Sequence, residues 1–121
     1  MRQKIVFFLC IIFTIFFLYT GVQADKPNYD WGIEAIEITL DIGENIEDTM
    51  YTYEQFKYLK HAVLEYMKPI SNAEKRRDFS NKFITKVAIG IAEQDVQYLN
   101  EALLFLQITM NNYGEVYYIN K

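Results

Sequence analysis

Apolar residues are arranged in two different ways along the chain. Residues 5–19 (IVFFLCIIFTIFFLY) form an apolar run interrupted only by Thr14. From residue 30 onward, apolar and polar positions alternate with helical periods, and short polar breaks separate the periodic blocks.

The first periodic block holds an ambiguity. In AIEITLDIGENIED (residues 35–48), Ile36, Ile38, Leu40 and Ile42 alternate with Glu37, Thr39 and Asp41, which is strand spacing. Ile33 and Ala35 fall on the opposite parity, so a single strand would change faces midway. Helical spacing accommodates the whole window. It places Ile33, Ile36 and Leu40 on one flank and Ala35, Ile38 and Ile42 on another. Glu34, Glu37, Asp41 and Glu44 form a stripe between them. The block is predicted as a helix capped by Asp30. It ends at Gly43, a natural residue beyond a helix end, or continues towards Asp48.

Three more helices are predicted. Thr52 and Gln55 form a capping box ahead of Phe56, Leu59, Val63, Tyr66 and Met67, and Pro69 closes that helix. Ser71 and Glu74 form a second box ahead of Phe79, Phe83, Ile84, Val87 and Ile91. Lys75, Lys82 and Lys86 run beside that apolar face. Gly90 and the stretch AEQD (residues 92–95) predict a break. The last helix carries Val96, Leu99, Leu103, Leu106 and Met110, with Ala102, Leu104 and Phe105 widening its face, and ends at NNYG (residues 111–114). The closing EVYYINK is short, β-prone and aromatic, an extended segment that can pack on the bundle, pair with an edge or fray. The expected fold class is all-α: a small antiparallel bundle of about four helices, as short connections favour.

The opening apolar run changes where that bundle is expected to reside. Arg2 and Lys4 precede it, and Val22-Gln23-Ala24 follows with small residues at the −3 and −1 positions. Residues 1–24 therefore read as a secretory signal peptide cut after Ala24, with residues 25–121 as a single helical domain in the periplasm or secreted. Cleavage would remove Cys10, the only cysteine, so the exported chain would rely on its hydrophobic core without disulfides. A chain of about 97 residues is long enough for such a core. Loss of Arg2 and Lys4 takes the formal net charge from −4 to −6. That charge argues against nucleic acid and against docking on anionic lipid.

Little in the pattern points to catalysis or metal chemistry. The exported chain has one histidine, His61, and no dense ligand motif, so neither a metal nor a cofactor is expected. His61 lies between Lys57 and Glu65 at one-turn spacings and reads as a surface residue. Ser71 is assigned to a cap, and Ser80 is placed to bond its own backbone. No nucleophile elbow or phosphate loop is present. The chain is not expected to be an enzyme.

The acidic stripe is the unusual feature. Like charges one turn apart destabilise a helix by ~0.2–0.5 kcal/mol per pair. Either the protein's own Lys75, Lys82 and Lys86 face it, or a cationic partner does. Tyrosine is the second recognition signal, concentrated at Tyr51, Tyr53 and Tyr58 and again at Tyr113, Tyr117 and Tyr118. The expected partner-binding residues are Glu34, Glu37, Asp41, Glu44, Tyr53, Tyr117 and Tyr118. The expected function is an exported protein-binding module, as an inhibitor or immunity protein acting on an envelope-targeted toxin or enzyme. The alternatives are a structural or homodimeric envelope protein, a small carrier of apolar ligands, and a small hydrolase.

Overall fold

Each of the four described helices is preceded by an asparagine or aspartate. In a computed structural model, residues 25–115 are described and form α1 (Tyr29–Glu44), α2 (Thr49–Met67), α3 (Ala73–Glu93) and α4 (Val96–Asn112). Asn28, Asp48, Asn72 and Asp95 precede them in extended backbone. Their side chains accept from the amides of Trp31, Tyr51, Lys75 and Gln97 at 3.4, 3.1, 3.0 and 3.0 Å. These contacts satisfy amides that a helix start otherwise leaves without partners.

The caps correct the sequence reading at three starts. Asp30 lies inside the first turn of α1. Thr52 is buried within α2 and donates to the Thr49 carbonyl at 3.1 Å. The Ser71 hydroxyl donates to Asp25 instead, at 3.2 Å, and the Ser71 amide donates to the same carboxylate at 3.0 Å. Gly43 does not stop α1, and Gly90 lies inside α3.

Two helices end in the same way. The Asp95 amide donates to Gly90 and the Gln94 amide to Ile91, while Glu115 donates to Met110 and Gly114 to Asn111. Both are Schellman arrangements, which need one residue in the left-handed region. Gly114 takes it at φ 81°, and Gln94 takes it at φ 51°.

The architecture is all-α, as expected, with no strand among the described residues. Helix α1 packs mainly on α2 and on α4, and α3 packs on α4 and on α2. The four therefore close into a ring with α1 and α3 on opposite corners. Trp31 meets His61 and Asp41 meets Tyr51, so α1 and α2 are antiparallel. Lys86 meets Glu101 and Phe79 meets Phe105, so α3 and α4 are antiparallel too. The signal-peptide reading of residues 1–24 lies outside the described residues. So does the extended segment expected at the C-terminus, from residue 116 onward.

The alternation in residues 35–42 is resolved as helix. Ala35, Ile36 and Ile42 are buried, and Ile33, Ile38 and Leu40 pack at the core's edge. Thr39 also points inward, and its hydroxyl is satisfied by the Ala35 carbonyl at 2.7 Å. Helix α4 buries Leu99, Ala102, Leu103, Leu106 and Met110, but Leu104 is 57% exposed. Its buried face is narrower than expected.

Tyr66 lies where all four helices meet. Its ring packs at 5.5 Å from Phe79 of α3, which in turn stacks on Phe105 of α4 at 5.1 Å. On the α1 side, a Cβ placed on Gly32 would lie 2.8 and 2.9 Å from the Tyr66 ring and 3.3 Å from the Met110 methyl of α4. Tyr66 is fully buried, so its ring has no room to retreat. Gly43 differs, because a Cβ there meets only Leu99, at 3.5 Å. Alanine inside a helix gains up to ~1 kcal/mol over glycine, whereas overpacking a core costs ~1–3 kcal/mol. Gly32→Ala is therefore expected to lower the urea-unfolding free energy by about 1–2 kcal/mol. Gly43→Ala is expected to raise it by about 0.5–1 kcal/mol.

Candidate docking face across α1 and α2

The four acids run along the outer surface of α1. Glu34, Glu37 and Glu44 are exposed, and Asp41 is half-buried beside α2. At 1.5 Å per residue the row is about 15 Å long.

The lysines considered as internal partners sit elsewhere. Lys82 pairs with Asp78 at 3.3 Å along α3, and Lys86 pairs with Glu101 of α4 at 3.2 Å. Lys75 lies 5.8 Å over the Tyr113 ring. All three belong to α3, the helix diagonal to α1, so their distance from the stripe follows from the topology. Among the described residues, no ion pair engages Glu34, Glu37, Asp41 or Glu44.

Asp41 has a different kind of compensation. It lies in the last turn of α1, where the helix dipole disfavours a negative charge. The Tyr51 hydroxyl donates to one carboxylate oxygen, and Asn45 Nδ2 donates to the other at 3.2 Å. Asn45 also donates from Nδ2 to the Asp41 carbonyl at 2.9 Å. Both partners are neutral, so Asp41 is held in place without an ion pair. The hydrogen bond to Asp41 pushes the Tyr51 phenol above its ordinary value, with smaller contributions from burial and from the charges of Asp41 and Asp48.

Aromatic side chains border the acids on the α2 side. Trp31, half-buried, meets His61 edge-on at 5.2 Å between ring centroids. The Trp31–His61 and Asp41–Tyr51 contacts share one antiparallel register, which sets Tyr58 level with Glu34. Tyr58 lies seven residues beyond Tyr51 and three before His61, so all three occupy the side of α2 facing α1. Tyr58 is 61% exposed. The face thus combines a row of carboxylates with Trp31, Tyr51 and Tyr58, residue types enriched at binding hot spots.

The other expected site residues are placed differently. Tyr53 is two residues from Tyr51 and so about 200° around the helix. It is exposed away from the stripe, with Lys57 Nζ 4.9 Å over its ring. Tyr117 and Tyr118 lie outside the described residues. Trp31 was missed because only the register, and no local pattern, brings it to the acidic face. Tyr51 and Tyr58 were visible as part of a tyrosine cluster, but the helix phase was needed to separate them from Tyr53.

An open groove of about 490 Å³ lies between α3 and α4, lined by Asn81, Lys82, Thr85, Lys86, Ile89, Tyr98 and Phe105. Among the described residues, no group of three or more His, Cys, Asp or Glu side chains is placed to hold a metal ion. No described helix is long and apolar enough to cross a membrane. Comparison with known protein families, with curated proteins and with solved structures gives no match.

The Tyr51–Asp41 contact has a spectroscopic signature. Besides the buried Tyr66, Tyr51 is expected to ionise above the ordinary value of 10.0 in an ultraviolet pH titration. Asp41→Asn should bring it back towards that value, because the amide removes the charge that opposes the phenolate. A raised phenol pKa stabilises the fold below the ordinary value, and that contribution is lost as pH rises through the raised one. The parent's stability advantage over Tyr51→Phe should therefore disappear in strong alkali.

Proposed function

We propose that the protein is an exported, non-catalytic protein-binding module. Its docking face is formed by Glu34, Glu37, Asp41 and Glu44 of α1 with Trp31, Tyr51 and Tyr58 at the edge. The partner is a basic protein, and the specific case is an inhibitor or immunity protein that neutralises an enzyme or toxin acting on the cell envelope. The observation that carries this reading is the state of the acids. They point outward, the α3 lysines are engaged elsewhere, and Asp41 is positioned by neutral donors. An acidic surface of this kind steers cationic partners and raises association rates by about 10–10³-fold. The aromatic border supplies contact area at low entropic cost, which charge alone does not. The signal-like N-terminus supports export to the periplasm or the medium.

One other reading has its own observation. Leu104 and Ile108, at 57% and 51% exposure, are one turn apart on the outer face of α4 and form an apolar pair that suits a homo-oligomer. Sedimentation of residues 25–121 separates the two, because the docking reading expects a monomer with the α1 face free.

The direct test is affinity capture from the native envelope with residues 25–121 as bait. A basic protein should be retained at low salt and released as ionic strength rises. Glu34→Lys with Glu37→Lys reverses two exposed charges and leaves the Tyr51–Asp41 contact in place. That double variant should bind the captured partner at least about 10-fold more weakly, mainly through a slower on-rate. Unchanged capture would exclude the acidic row from the interface.

A further inference from the structure

The side of α2 turned away from α1 carries a second surface. Met50, Tyr53, Lys57, Lys60 and Leu64 follow one another at alternating steps of three and four residues, so they share one face of the helix. At 1.5 Å per residue this strip is about 21 Å long. Met50, Tyr53 and Leu64 are 77%, 58% and 64% exposed, so the core makes little use of them. Apolar side chains left in a row on a surface mark a contact with something else.

The charges of α2 are sorted between its two sides. Its only acids are Glu54 and Glu65. They lie four residues before and seven after Tyr58, on the side towards α1. The lysines stand with the apolar row instead. Lys57 Nζ lies 4.9 Å over the Tyr53 ring, and Lys60 Nζ lies 5.2 Å over the Phe56 ring. An aromatic face attracts an ammonium without neutralising it. Lys68, four residues after Leu64, continues the line. All three lysines are exposed, and among the described residues no ion pair engages them.

We propose that this side of α2 docks on an anionic phospholipid surface. Met50, Tyr53 and Leu64 enter the headgroup layer, and Lys57, Lys60 and Lys68 meet the lipid phosphates. Large apolar side chains interleaved with lysines on one helix face are the composition of an interfacial helix, and lysine stems can lie along apolar surface while the ammonium reaches out. Shape favours a lipid layer over an acidic protein. The strip is the convex outer surface of one helix, which fluid headgroups can follow and a rigid partner can match only with a groove of its own. The net negative charge of the chain argues the other way, but a surface responds to the charges that face it. Screening limits their reach to about 8 Å at physiological salt. The acidic row of α1 lies across the Tyr51 side of α2, about 200° around that helix from Tyr53.

The test is co-sedimentation of residues 25–121 with vesicles. These residues hold all four helices and leave out the N-terminal apolar run. They should bind vesicles that contain phosphatidylglycerol and not vesicles of phosphatidylcholine alone, and binding should fall as salt rises. Lys57→Gln with Lys60→Gln should weaken it about 20-fold. Met50→Gln with Leu64→Gln should weaken it about 10-fold. Glu34→Gln with Glu37→Gln should not weaken it, so failure of this surface is distinguishable from failure of the acidic row. Cys10, the only cysteine, lies outside residues 25–121, so Leu64→Cys and Glu37→Cys can each carry a single polarity-sensitive dye. The dye at position 64 should shift to the blue on anionic vesicles, and the dye at position 37 should not. An absence of binding to these vesicles, as expected if the strip serves an acidic protein, would overturn the proposal. So would unchanged binding of the lysine variant, or a dye at position 64 that stays in water.

Discussion

The contact between the Tyr66 ring and the backbone of α1 at Gly32 is the constraint from which the other features follow. Only a residue without a Cβ leaves room for the ring at that distance. The ring spans from α1 to Phe79 of α3 and touches the same space as Met110 of α4. Its backbone carbonyl holds Asn28, the residue that caps α1. One residue therefore sets the spacing of α1 and α2, anchors the start of α1 through its carbonyl and ties both helices to the second hairpin. A fully buried tyrosine ordinarily finds a partner for its hydroxyl. Here the ring's position is dictated by packing, and the hydroxyl is left without a hydrogen-bond partner.

Once α1 is pressed against Tyr66 through Gly32, its opposite surface has to face water. Glu34, Glu37 and Glu44 occupy that surface. The ring-shaped topology sets α3 on the far corner, so its lysines are kept from the acids by the whole width of the core. Lys82 and Lys86 pair with Asp78 and Glu101 instead, and Lys75 lies over the Tyr113 ring. The cost of four like charges on one helix is small, a few tenths of a kcal/mol per pair. It is small enough for a fold to carry without internal neutralisation. Asp41 shows how the fold manages the worst-placed member. Tyr51 and Asn45 answer its hydrogen-bonding needs and leave the field of the stripe unchanged.

The helices and the acidic row were legible in the sequence because both depend on local periodicity. Ile33 and Ala35 were enough to decide against a strand at residues 35–42, and NNYG marked the end of α4. The caps were misread because several capping residues stand close together. Asn28 and Asp30, Asp48 and Thr52, and Ser71 and Asn72 are each chemically able to start a helix. What chose among them was tertiary: Asp25 engages Ser71, and the core buries Thr52. The position of the lysines and the arrival of Trp31 beside the acids were not legible either. Both depend on which helices are neighbours and in what register, and no single helix carries that information. For Glu115 the β-prone neighbours left packing, pairing and fraying open, and the turn at Gly114 sets it back onto the bundle.

Among the described residues, the acidic row takes no part in the protein's internal ion pairing. The most direct measurement is the unfolding free energy of Glu34→Gln/Glu37→Gln/Glu44→Gln against the parent in low-salt urea titrations. Glutamine matches glutamate in size and nearly in helix propensity, so the change isolates charge. Relief of like-charge repulsion should leave the triple variant as stable as the parent, or more stable by up to about 1 kcal/mol. A loss of more than about 1 kcal/mol, beyond what exposed ion pairs are worth, would show that the acids are engaged by cations of the same chain and would contradict the account.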